Sequence, residues 1–197
     1  MTSRTDLGRF YGEWRWTLAS GLVTFVIAVL AFCLPDIEWA PKGGLVGWLL
    51  VVAGLAELSF GLKRGLDPLG ETAVGSGVIT TLAGLIFVAN PLASFLPVAN
   101  VVMVWLFVRG FWVLATALRV RGEGLAAWLA MSGATDVLLA LVLFAELPIS
   151  VLVTIIFGHT PELIARFALI LAVSFFVSAV SHVGMAFFER RRLKPAL

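Results

Sequence analysis

Six uninterrupted apolar runs constrain this chain more than any other feature. They fall at about Trp16–Leu34, Leu45–Leu62, Thr72–Ala89, Val98–Leu118, Leu125–Phe144 and Ile164–Phe188. At about 1.5 Å of rise per helical residue, each is long enough to cross a hydrocarbon core of about 30 Å. A closed barrel would also satisfy the backbone in lipid, but it needs short alternating strands, and these runs do not alternate. Charged residues make up 13% of the chain, against about 25% in soluble domains. The mean hydropathy is +1.03. The expected fold class is therefore all-α: a polytopic membrane protein with six transmembrane helices. The longest connection, between Phe144 and Ile164, is too short to hold a soluble domain.

The runs are organised as three repeated helical hairpins. Pro35, Pro91 and Pro148 each follow the first run of a pair, at intervals of 91 − 35 = 56 and 148 − 91 = 57 residues, a near-constant period. The hairpins span residues 16–64, 72–121 and 125–190, after an N-terminal segment over 1–15 and before a basic tail over 191–197. The third unit is longer than the others by a stretch at about 149–162. Val151–Phe157 is apolar and Gly158-His159-Thr160-Pro161 reads as a turn. The expectation is a short interfacial or re-entrant segment, with Thr160 capping the last helix. In the N-terminal segment, Leu7, Phe10, Tyr11 and Trp14 have helical spacing. That fits a helix in the headgroup layer, and equally a lead-in to the first span.

Basic residues are sorted along the chain. Arg4, Arg9 and Arg15 precede the first span, Lys63 and Arg64 follow the second, and Arg119 and Arg121 follow the fourth. Arg190, Arg191, Arg192 and Lys194 follow the sixth, whereas the alternate connections hold only Lys42 and Arg166. By the positive-inside rule both termini are expected in the cytoplasm. Trp14, Trp16 and Trp128 fall at the inner boundary, and Trp39 and Trp48 at the outer one, as an aromatic belt. The net charge of +2 is too small to suggest nucleic acid as a partner. The single cysteine, Cys33, has no second thiol for a disulfide or a metal. Phe32 beside it occupies the place where a lipoprotein cleavage site needs a small residue.

Gly47, Gly54 and Gly61 lie seven apart on one face of the second helix, and Gly84 and Gly110 extend the small-residue pattern to the next two. Such faces let helix backbones approach closely. Four ionisable side chains sit well inside spans: Glu57, Arg109, Asp136 and His182. Charges at depth are costly and mark either function or a buried pair. Counting from the basic flanks, Arg109 and Asp136 both come about 15 Å into the membrane. They are expected to pair, with Glu57 and His182 nearer the cytoplasm and Trp105 or Trp112 covering the guanidinium. One reading is a proton-responsive polar cluster. The preferred one is a buried Arg–Asp pair that fixes helix order. No metal spacing, phosphate loop or nucleophilic triad is present, so no cofactor, metal or catalytic residue is expected.

The three hairpins, their prolines, and Gly54 and Gly110 on the second helices resemble the HdeD family of bacterial inner-membrane proteins. The likeness runs over about Trp16–Arg192. The longer third unit and Ser181 in place of a third glycine depart from the pattern. The resemblance implies an inner-membrane protein with a part in acid resistance. The leading expectation is thus a non-enzymatic integral membrane protein supporting acid or envelope stress tolerance. The alternatives are an accessory subunit of a larger membrane complex and a small proton or solute transporter or channel. The partners expected are the lipid bilayer and a second copy or membrane-complex subunit. Parallel repeats are unlike the inverted pairs of secondary transporters.

Overall fold

The computed structural model describes residues 4–34, 42–65, 67–89, 95–120, 123–157 and 161–193. These form six helices: α1 (Arg4–Cys33), α2 (Lys42–Arg64), α3 (Pro68–Ala89), α4 (Phe95–Arg119), α5 (Glu123–Phe157) and α6 (Pro161–Leu193). No strand occurs among the described residues. All six are long and apolar enough to cross a membrane. Their outward faces carry large apolar side chains such as Leu22, Val26, Leu55, Phe111, Leu138 and Phe187. Lipid is the solvent that such a surface requires.

Neighbouring helices run antiparallel in a ring that closes when α6 packs on α1. The tightest contacts are α2 on α3, α4 on α5 and α1 on α6. Each joins the second helix of one sequence unit to the first helix of another. The hairpin partners α1 and α2, α3 and α4, and α5 and α6 pack less extensively.

Glycine explains the α2–α3 contact. A Cβ on Gly54 would stand 2.7 Å from the Gly77 carbonyl oxygen, and one on Gly77 would stand 2.7 Å from the Leu58 nitrogen. Gly47 meets Val88, Gly61 meets Val74 and Gly84 meets Val51 in the same way. Gly110 of α4 faces the Gly133 carbonyl of α5. Backbones this close gain dispersion contacts that larger residues would prevent.

The turn between α2 and α3 is built from local chemistry. Gly65 takes φ +88° and its N–H reaches the Gly61 carbonyl at 3.1 Å, the left-handed stop that glycine permits. Asp67 then caps α3, its Oδ1 accepting from the Gly70 N–H at 2.6 Å. Pro68 opens the helix, where its missing donor costs nothing.

Of the two readings of the N-terminal segment, the lead-in matches: α1 runs unbroken from Arg4 into the first span. Two other local readings differ from the structure or fall outside it. The stretch at 149–162 begins as the end of a helix and not as its own segment, because α5 passes through Pro148 and stops at Phe157. Proline removes one donor, yet its φ is helical, and in apolar surroundings continued helix keeps the remaining backbone groups paired. Thr160 and Trp39 lie outside the described residues.

Candidate functional site

A layer of buried polar side chains crosses the middle of the ring. Its centre is Arg109 of α4, 2% exposed. Its Nη1 donates to Asp136 Oδ2 of α5 at 2.5 Å. Its Nη2 donates to Glu57 Oε1 of α2 at 2.8 Å and to Ser178 Oγ of α6 at 3.2 Å. The carboxylates are held from their other sides. Ser76 of α3 donates to Glu57 Oε2 at 2.6 Å, and Ser174 of α6 donates to Asp136 Oδ1 at 2.5 Å. Trp105 lies beneath the guanidinium, 5.7 Å from ring centroid to Cζ, and donates through Nε1 to Thr80 Oγ1 at 3.0 Å. One guanidinium thus links α2, α4, α5 and α6 directly, and α3 through Ser76.

Local sequence explains this convergence. On α6, Ser174, Ser178 and Ser181 share a stripe, and all three are buried. On α2, Glu57 sits three residues after Gly54, on the face pressed against α3. Burying an ion this deep costs several kcal/mol unless it is paired and its hydrogen bonds are satisfied. Here both carboxylates have a cation and a hydroxyl.

Of the four ionisable residues singled out from sequence, Arg109 contacts Asp136, and Glu57 binds the same guanidinium. His182 makes no hydrogen bond to the three. Its ring packs edge-on against Phe60, with centroids 6.1 Å apart, and its Nδ1 is enclosed without a partner. Of the two flanking tryptophans, Trp105 covers the guanidinium, while Trp112 lies against Gly75.

Between the cluster and the arginine-bearing end of the bundle is a cavity of about 40 Å³. Glu57, Ser76, Arg109, Ser132, Ser178 and His182 are among its lining residues. A second polar knot stands at its outer limit. Arg64 of α2 donates to Asp67 Oδ2 and to Glu189 Oε1 of α6, both at 2.7 Å, and to Thr17 Oγ1 of α1 at 3.1 Å. Thr17 also donates to Glu189 Oε2 at 3.1 Å. This knot went unread in the sequence, where Arg64 counted only as a topological flank. Toward the opposite end the layer is covered by an apolar cluster that includes Leu50, Phe87, Leu106, Leu171 and Phe175. No group of three or more metal-ligating side chains occurs among the described residues.

Against this geometry, the comparisons with known proteins add one finding. A family described as a short repeat of unknown function (DUF308) matches residues 75–145, which cover most of α3, all of α4 and the first part of α5. That family includes HdeD-like membrane proteins. No curated protein and no solved structure matches the chain.

Proposed function

We propose that this chain is a non-enzymatic protein of the bacterial inner membrane that supports tolerance of acid or envelope stress. The observation that carries the reading is a polar core closed on one side. Arg109 pairs with both Glu57 and Asp136, and packed apolar side chains cover them away from the basic end. With the basic ends in the cytoplasm, as the charge sorting argues, that apolar half faces the periplasm. An acidified periplasm then meets, among the described residues, a packed apolar layer ahead of the charged cluster, and the bundle adds helix to the membrane without adding a proton leak. The HdeD resemblance and the matched repeat support the same reading. A solute carrier would need a path through the apolar half, which among the described residues is filled by Trp105, Leu106 and Phe175, each no more than 2% exposed.

Two measurements test the proposal together. Proteoliposomes carrying an internal pH dye should acidify no faster than protein-free liposomes after an external acid pulse. Cells deleted for the gene should survive acid challenge less well, and the wild-type gene should restore survival. Protein-dependent proton entry, or survival that ignores the deletion, would overturn it.

A further inference from the structure

We infer that the cavity between the Arg109 cluster and the Arg64–Glu189 contact is a built water site, entered from the basic end of the bundle. The inference concerns a ligand that the stress-tolerance reading does not require, and it stands or fails separately.

The first observation is an unspent donor. Arg109 is 2% exposed and uses Nη1 and Nη2 on Asp136, Glu57 and Ser178. Its Nε is fully enclosed and has no partner. A guanidinium N–H left unsatisfied in a low-dielectric interior is expensive, and protein structures normally supply an acceptor. Arg109 lines the cavity, so the missing acceptor has a place to stand.

The second observation is the cavity's lining and size. A buried water needs space for about one probe sphere, roughly 10–15 Å³, and two to four polar partners. The cavity offers about 40 Å³, enough for one or two molecules. His182, whose Nδ1 is enclosed and unpartnered, is among the lining residues. Ser132 and Ser178, whose hydroxyls are 3.2 Å apart, line it too. Empty cavities in proteins are apolar, whereas this one has charged and hydroxyl-bearing residues in its lining. Glu57 beside Arg109 disfavours an anion as occupant. The carboxylate oxygens already hold their own donors, Arg109 and Ser76, which leaves a neutral molecule that both donates and accepts.

The entry is set by what closes each end. Toward the apolar half the ring is filled by Trp105, Leu106 and Phe175, each no more than 2% exposed. Toward the basic end the boundary is Arg64 with Thr17, Asp67 and Glu189. Those are hydrogen bonds between side chains, which can part and re-form without moving a helix. Water therefore exchanges through this contact, and Glu57 and His182 meet solvent from the basic end alone.

Hydroxyl-radical footprinting in oxygen-18 water tests this on the full chain in lipid nanodiscs. Radicals formed from a bound water label the side chains beside it. Met185, Phe60 and His182 line the cavity, while Trp105 and Phe175 are buried in the apolar half. The expected result is isotope incorporation at Met185 several-fold above that at Trp105, despite comparable burial. Arg64→Leu should raise the Met185 rate further and leave Phe175 unlabelled. If that variant does not fold, Glu189→Gln weakens the same contact by removing one charge and serves in its place. Met185 and His182 labelled no faster than Trp105 and Phe175 in the wild type would overturn the site. Labelling of Met185 that neither variant changes would overturn the entry route.

Discussion

Away from the arginines, the helices meet through Leu50, Leu106, Leu171 and Phe175, all nearly fully enclosed. Nearer the basic end they meet through Arg109, Glu57, Asp136 and the serines around them. These two regions hold the same ring by different physics. In lipid, a leucine leaves apolar tails for apolar side chains, so its burial brings shape complementarity and dispersion without a transfer from water. Such contacts seal, but they tolerate many helix arrangements. A guanidinium that must find two carboxylates and a hydroxyl on three other helices tolerates few. The apolar half closes the bundle, and the polar half specifies which helix stands where.

The largest test of this contrast is Arg109→Leu. It leaves two buried carboxylates without their cation and should cost about 3–5 kcal/mol, read from the denaturant dependence of unfolding in mixed micelles. Adding Glu57→Gln and Asp136→Asn should recover much of that loss, since neutral amides need no cation. A single variant as stable as the wild type would end the claim that the polar half specifies the ring.

Gly54→Val comes next. Its side chain would press on the α3 backbone at Gly77 and Thr81 and should cost about 3 kcal/mol, the upper part of the overpacking range. The same unfolding assay reads it, and crosslinking between cysteines placed on α2 and α3 should fall with it.

Leu106→Ala in the apolar half should cost about 2 kcal/mol, the low end for a buried leucine, because lipid removes the water-transfer part. A loss exceeding that of Arg109→Leu would reverse the comparison. Asp67→Ala removes the cap of α3 and one partner of Arg64, and should cost about 1 kcal/mol. Hydrogen exchange at the first turn of α3 should accelerate with it. Lys63→Ala removes an ammonium 3.6 Å from the Trp16 ring. As a partly exposed cation–π contact, it should cost no more than about 1 kcal/mol, visible chiefly as a shift in Trp16 fluorescence in a variant that retains no other tryptophan.

Part of the polar site was legible before any fold was known. Counting helical rise from the basic flanks put Arg109 and Asp136 at one depth, and their side chains do meet. The count did not show that Glu57 shares the same guanidinium. Depth along a helix ignores tilt and the reach of two long side chains. A further signal lay in the chain unused. Ser20-Gly21, Ser76-Gly77 and Ser132-Gly133 recur at a constant interval on α1, α3 and α5. Gly77 and Gly133 make the backbone approaches, and Ser76 and Ser132 fall in the polar layer. The Arg64 knot carried no such mark, because Thr17 and Glu189 are 172 residues apart and neither belongs to a recognisable motif.

The amino-acid sequence alone determined the all-helical character and the number of candidate spans. A run of apolar residues in lipid has no water to satisfy its backbone and must bond to itself. It also determined that the basic residues gather at alternate turns, since that needs only counting. The tertiary structure alone decided that α1 closes on α6, that the glycine faces join helices from different repeats, and that one arginine serves two carboxylates. Those outcomes depend on rotation, tilt and side-chain reach between helices far apart in the chain, which local composition does not encode.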